Sequence, residues 1–392
     1  DDNDDDEENR LSPYETTPVD LLALDDHATP IFTRAVLKEI AAHKAKLIAH
    51  YAQRPEARTL QTLTRKDRHG NDWTIWTASQ RDGDHKDKDS ANAPNRDPNS
   101  VGIDYRCRVH LHPSKILGAD HYNGALLHSE GPKSPPPFSF SNYYCPRDMQ
   151  HLNPERMAVW RRRLVATKHL WKASQCRVEI GTMFRDAVPW VAPIRKIVCI
   201  GLGSLGSGSD DWYACVMQYM AAFTIKTTLD AAYAKTNPGC EPIRIIAQDP
   251  NYMGKDRVLL NGLFDPSGRE KIDFVNDPHG LLAIDEQTLV MTAFLPHGVP
   301  LMQIVADMFP PGGGPAGFIC DRMDLNVQQR MYSLRDRSSP GVARMLLQGR
   351  QYRNLTAAFD WHVPEPKLLE DVYGARDRGR WYWLRDMSLW LK

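Results

Sequence analysis

The run Gly201-Leu202-Gly203-Ser204-Leu205-Gly206 is where residue types and spacing come closest to chemistry. Small residues between a strand and a helix let backbone N–H groups approach a ligand, and the helix N-terminus favours negative charge there. The letters fit a dinucleotide-binding turn. That fold also places an acidic residue about 20 residues further on to hold the ribose, whereas Asp249 lies about twice as far away. The turn therefore speaks for a strand-turn-helix unit more than for NAD. Read as packing alone, Gly201, Gly203 and Gly206 simply let helix and strand approach each other. Ser204 stands where the nucleophile of a strand-turn-helix enzyme would stand. No base is near it in sequence, and serines in such turns often only hydrogen-bond.

Ligands of open α/β sheets bind beyond the carboxyl ends of the strands. That rule selects Asp249 and Tyr252 in Gln248-Asp249-Pro250-Asn251-Tyr252, His297 after Pro296, and Asp321 with Asp324 close behind. Each alone has an ordinary reading, Asp-Pro as turn chemistry and His297 as a cap or a solvated ring. Arg161, Arg162, Arg163, Lys168 and Lys172 lie on one helix, where they either hold RNA phosphates or form a solvated face. Cys107, His110 and His112, with His121, His128 and Cys145 downstream, invite a zinc reading. On a strand His110 and His112 would share a face while Cys107 points the other way, so no metal is expected.

The elements that must position these residues alternate after Pro193. Strands are expected at 196–200, 243–247, 272–275, 288–292 and 316–320, with helices at 212–233, 255–260 and 300–308. This pattern predicts an α/β fold: a Rossmann-like, mostly parallel sheet with helices on both faces over 194–325. Before it, 30–193 reads as an α+β elaboration. A helix runs from Pro30 to about Tyr51, a hairpin turns at Arg68-His69-Gly70-Asn71, and a strand begins at Val101. A second long helix opens at Asn153-Pro154-Glu155 in the preferred cap, proline, acid order. On that helix Trp160, Leu164, Thr167 and Trp171 share a face. The polar stretch 81–100 reads as a mobile loop, and 1–29, with its acidic start, as a disordered tail. The segment 326–392, ending in Trp381-Tyr382-Trp383 and Trp390, is expected to be helical.

With 392 residues, 42% apolar and 25% charged, the chain reads as folded and globular. Its 49 basic and 49 acidic residues cancel, so any contact with a polyanion must come from a local patch, and DNA is not an expected partner. The seven cysteines lack paired spacing and read as reduced cytosolic thiols. No stretch approaches the roughly 20 apolar residues of a membrane span, and a cytoplasmic location is expected.

Taken together, KIVCIGLGSLG, IIAQDPNY, TLVMTAFLPHGVPLMQIVAD and GFICDRMD resemble the "sensitivity to red light reduced" (SRR-like) family in its fungal form, over about residues 194–325. The resemblance implies fold more than activity, since plant and animal members are regulators linked to light, circadian or haem biology. The Gly-x-Ser turn after a first strand is also similar to that of the bacterial cyclodipeptide synthases, Rossmann-like relatives of class I aminoacyl-tRNA synthetases. Their second motif, a Tyr followed by Glu and Pro, has no match here. Fungal arginine-containing cyclodipeptide synthases are similar in size. That resemblance implies aminoacyl transfer from arginyl-tRNA and a second aminoacyl-tRNA, with no cofactor. Ser204 would be acylated, and His297 and Tyr252 would assist. A helix N-terminus after Gly206 would stabilise the oxyanion. Gly201, Gly203, Gly206, Asp249, Asp321 and Asp324 would bind substrate, and the Arg161 to Lys172 helix would hold tRNA. Two alternatives stand beside it. One is a regulator binding a nucleotide or a haem-like ligand, with His297 or the His110/His112 pair as the only candidate axial ligands; the other is an NAD-dependent oxidoreductase.

Overall fold

A computed structural model of the chain describes residues 18–24, 28–53, 62–66, 72–77, 101–109, 111, 136–142, 154–205, 212–348, 351–356, 384 and 387–392. In chain order the elements are β1 (Val19–Asp20), α1 (Arg34–Ala52), β2 (Thr62–Lys66), β3 (Asp72–Thr77), β4 (Val101–Tyr105), β5 (Phe138–Asn142), α2 (Pro154–Ala173), α3 (Gln175–Ala187) and β6 (Lys196–Ile200). There follow α4 (Trp212–Thr236), β7 (Arg244–Gln248), α5 (Gly254–Phe264), β8 (Asp273–Phe274), α6 (His279–Ala283), β9 (Thr288–Thr292) and α7 (Leu301–Met308). The last are β10 (Gly317–Asp321), β11 (Met331–Tyr332), α8 (Pro340–Leu347), β12 (Arg353–Asn354) and β13 (Met387–Leu391). Two compact units interleave along the chain, one from residues 1–144, 296–312 and 323–349, the other from 145–295, 313–322 and 350–392.

The second unit is built on a seven-stranded sheet in the order β12-β13-β10-β9-β6-β7-β8. The five strands from β10 to the β8 edge run parallel. In chain order they lie third, second, first, fourth, fifth when counted from the β8 edge, so the direction of winding reverses between β6 and β9. Side chains alternate between two buried faces. Ile197, Cys199, Ile245, Ala247, Leu289, Met291 and Ile319 join one large cluster with α2, α3, α4 and α5. Val198, Ile246, Val290 and Phe318 are buried on the other face. There Gly280 of α6 donates its N–H to Gln248 Oε1, leaving no room for a Cβ beside that glutamine. Burial on both faces explains why these strands read as continuous apolar runs. On α2 the expected stripe faces inward, with Leu164, Thr167 and Trp171 buried and Trp160 packed at its margin. The Trp171 indole donates to Thr224 Oγ1 on α4 at 2.8 Å, which fixes one helix against the other.

The other unit holds α1, the hairpins β2/β3 and β4/β5, the β1/β11 pair, α7 and α8. Thr33 caps α1 by accepting from Val36 N–H, and the helix starts four residues later than the sequence suggests, because Ile31 and Phe32 donate their N–H groups to the Asp307 carboxylate instead. Such a side-chain partner satisfies backbone donors that a helix start would otherwise leave open. The expected loop 81–100, the acidic start and Trp381 to Trp383 lie outside the described residues. Among the described residues, no helix is long and apolar enough to cross a membrane.

The chain end departs from expectation. Where a helical aromatic tail was expected, Met387–Leu391 is a strand, antiparallel to β10 with Leu389 opposite Ile319. Met387, Leu389 and Leu391 enter the large cluster while Trp390 faces the other side of the sheet, opposite Phe318. A five-residue apolar run carries no periodicity that separates strand from helix, and here a non-local partner decides. Leu389→Ala should therefore lower unfolding free energy by about 2–5 kcal/mol, the cost of emptying a core position, measured by urea denaturation of the full chain. A surface tail would lose well under about 1 kcal/mol.

Candidate functional site

The glycine turn leaves β6 at the strand whose neighbours mark the reversal of winding, where open α/β sheets hold their ligands. Gly201 (φ 67°) and Gly203 (φ 84°) adopt left-handed backbone that a side chain resists. A Cβ at Gly201 would overlap Leu295, which follows β9, and one at Gly203 would lie 2.5 Å from Cys215 Sγ on α4. Both glycines are thus required by close approach within the fold itself.

The turn's N–H groups are largely used. Gly201 N–H donates to Gln248 O at 2.9 Å, Gly203 N–H to Asp249 Oδ2 at 2.9 Å, and Leu205 N–H to Asp256 Oδ1 at 2.7 Å. Asp249 also accepts from Asn251 N–H at 2.8 Å, and Asp256 from Met253 N–H at 2.8 Å, so each carboxylate joins the turn to the segment that follows β7. Burial pushes both carboxyls above the ordinary range, against the pull of these donors. In a phosphate-cradling turn such N–H groups would face the ligand; here two protein carboxylates occupy that role.

Below the turn Tyr219 of α4, fully buried, donates its hydroxyl to Gly203 O at 3.0 Å and accepts from the Tyr252 hydroxyl. Burial holds both phenols well above their usual pKa. The Tyr252 ring is set by an edge contact with Phe274 of β8. Cys199 on β6 has its thiol pushed up to about 12 by burial, which makes it a packing group and not a nucleophile.

Ser204 is half-buried between the two bonded residues of the turn, and no described residue hydrogen-bonds its side chain. Asp321 ends β10 and accepts the N–H of Phe294 at 2.9 Å; Phe294 itself has left-handed φ of 53° and is 48% exposed. A bulky residue in that conformation is uncommon and marks this strand exit as constrained. Asp249, Tyr252 and Ser204 therefore come together, with Asp321 at the end of another strand of the same sheet. His297 and Asp324 belong to the other unit. Gly206 lies outside the described residues, which resume at Trp212 within α4. The helix start expected just after Gly206, with its oxyanion role, falls on residues outside the described ones. His110, His112, His121, His128 and Cys145 also fall outside the described residues.

On α2, Arg161, Arg162, Arg163 and Lys172 are exposed and take part in no ion pair among the described residues. Lys168 differs: its ammonium donates to Leu263 O at 2.8 Å near the end of α5, and burial lowers its pKa, helped by the charge of Lys172. It caps a neighbouring helix, as cations at C-termini do. Sequence reasoning missed Tyr219, Lys255 and Asp256. An acidic residue in the first turn of a helix was the visible signal for the last; Tyr219 sat unmarked in a long apolar helix.

Residues 185–351 match the family model of the SRR1 domain. This supports the SRR-like reading and takes in all five parallel strands and the glycine turn. The SRR1 match carries a fold family and no reaction. No curated protein and no solved structure matches the chain.

The two-carboxylate anchorage is testable. Asp256→Ala should cost about 1–3 kcal/mol for each N–H left unsatisfied, read by chemical denaturation at neutral pH. Since its native pKa is raised, ionisation of Asp256 works against the fold: its contribution is fullest below about pH 4 and is lost as pH rises through the raised value. The Ala variant should lack that part of the decline in stability with pH.

Proposed function

We propose that this chain is an enzyme of acyl transfer, an aminoacyl-tRNA-dependent cyclodipeptide synthase of the arginine-containing type, with Ser204 as the acylated residue. One observation carries the reading. Asp249 and Asp256 have taken the N–H groups on either side of Ser204, leaving its hydroxyl without a described partner at the edge where a doubly wound, Rossmann-like sheet binds its ligands. A dinucleotide needs those same N–H groups for its pyrophosphate, and Asp249 is no longer available for a ribose. The geometry therefore favours acyl transfer over NAD binding.

The chemistry would run in two steps. Ser204 Oγ attacks the ester carbonyl of arginyl-tRNA, the ribose oxygen leaves with a proton, and the amine of a second aminoacyl-tRNA then attacks the serine ester. Ring closure by the remaining amine releases the tRNA of the second residue. Tyr252, linked through Tyr219 to the backbone of the turn, is placed to hold a proton or orient the acyl group. Of the three carboxylates considered for an arginyl side chain, Asp249 is committed to the turn and its own segment, which leaves Asp321, at the end of β10, and Asp324 as the candidates. The exposed Arg161, Arg162, Arg163 and Lys172, without an ion pair among the described residues, support a tRNA contact on α2.

A second reading draws on the absence of a described base at Ser204: an SRR1-type binding module that holds a ligand without turnover. Product analysis separates the two. In a cell or extract supplying charged tRNAs, mass spectrometry should detect arginine-containing cyclic dipeptides, and Ser204→Ala should reduce them at least about a hundredfold. No product, with no tRNA retained on the purified chain, overturns the synthase. Replacing Arg161, Arg162 and Arg163 by Glu should weaken tRNA binding and flatten its salt dependence, measured by filter binding across ionic strengths.

A further inference from the structure

Lys255 is a buried cation without a hydrogen-bond partner among the described residues. It is the second residue of α5, 2% exposed, and its Nζ meets no hydrogen-bond acceptor among the described residues. It rests 4.7 Å from the centre of the Trp160 ring on α2. The neighbouring Asp256 offers charge but no ion pair with Lys255 among the described residues; its two oxygens accept the N–H groups of Leu205 and Met253. A desolvated ammonium without an acceptor is costly, and an indole face offsets only part of that. A methionine of similar length would fill the same space without the cost.

The surroundings supply what an anion needs. α5 is 11 residues long, so its first turn carries the partial positive charge of a helix N-terminus. The Gly254 and Lys255 N–H groups have no partner among the described residues, and a Cβ on Gly254 would find nothing within 4 Å. This turn follows the carboxyl end of β7, and its Asp256 clasps Leu205 in the glycine turn.

We propose that the first turn of α5, with Lys255, is a phosphate-binding site serving whatever ligand occupies the glycine turn. Gly254 and Lys255 donate N–H groups to the phosphate, and the flexible Lys255 stem carries its ammonium from the Trp160 ring to the same oxygens. This goes beyond acyl transfer at Ser204 and does not depend on it. A small phosphate ester and an RNA backbone share the chemistry.

Equilibrium dialysis of inorganic phosphate against the full chain, at constant ionic strength, tests it. Wild type should bind saturably, Lys255→Met at least about tenfold more weakly, and Lys255→Arg within a few-fold of wild type. Lys255→Met should be at least as stable as wild type in phosphate-free buffer, so lost binding cannot be lost folding. AMP and a CCA-ended RNA hairpin then compete: displacement by AMP assigns a small ester, displacement by the hairpin alone assigns an RNA phosphate. No saturable phosphate binding, equal binding by Lys255→Met, or displacement by neither competitor overturns the site. A chain that binds phosphate but makes no cyclic dipeptide keeps this site and discards the synthase.

Discussion

Two carboxylates hold the centre of this protein. Asp249 and Asp256, from the segment after β7, each accept an N–H from the glycine turn after β6 and a second N–H from their own segment. Each pair of bonds ties the exits of two adjacent parallel strands into one rigid edge. Both anions are buried against their solvation preference, which raises their pKa; four backbone donors make that tolerable. Remove the carboxylates and Gly203 and Leu205 lose their partners while the turn keeps its left-handed backbone.

The same clasp determines what the edge can offer a ligand. A glycine-rich turn normally advertises free N–H groups, and this one has committed those of Gly201, Gly203 and Leu205 inward. What remains is the Ser204 hydroxyl, the hydroxyl chain from Tyr252 through Tyr219 to Gly203, and the open first turn of α5 beside Lys255. On the reading proposed above, anion recognition would move from the turn after β6 to the helix after β7 and leave the turn to nucleophilic chemistry.

Support for this edge comes from a core that reaches the chain's end. β13 covers β10 by antiparallel pairing, with Met387, Leu389 and Leu391 in the same cluster as the strands that carry the turn. The site is therefore built on a sheet whose last strand lies far from it in sequence, and the Phe294 to Asp321 bond adds a further tie between the exits of β9 and β10.

Much was legible from local signals. The apolar runs at 196–200 and 288–292 match β6 and β9 residue for residue, and the Asn-Pro-Glu start located α2 with its buried Leu164, Thr167 and Trp171. These rest on periodicity and capping, which act over a few residues. The site was legible only in outline. Position after a strand singled out Ser204, Asp249 and Tyr252, but whether an aspartate serves a ligand or the protein's own backbone depends on what lies opposite it in space. Asp249 and Asp256 meet the glycine turn across some 50 residues of chain, Lys168 meets the end of α5, and β13 meets β10. In each case a short-range pattern stated the residue's type and exposure, while a long-range partner decided its role, because hydrogen bonds and strand pairings are satisfied by geometry that the chain acquires only on folding.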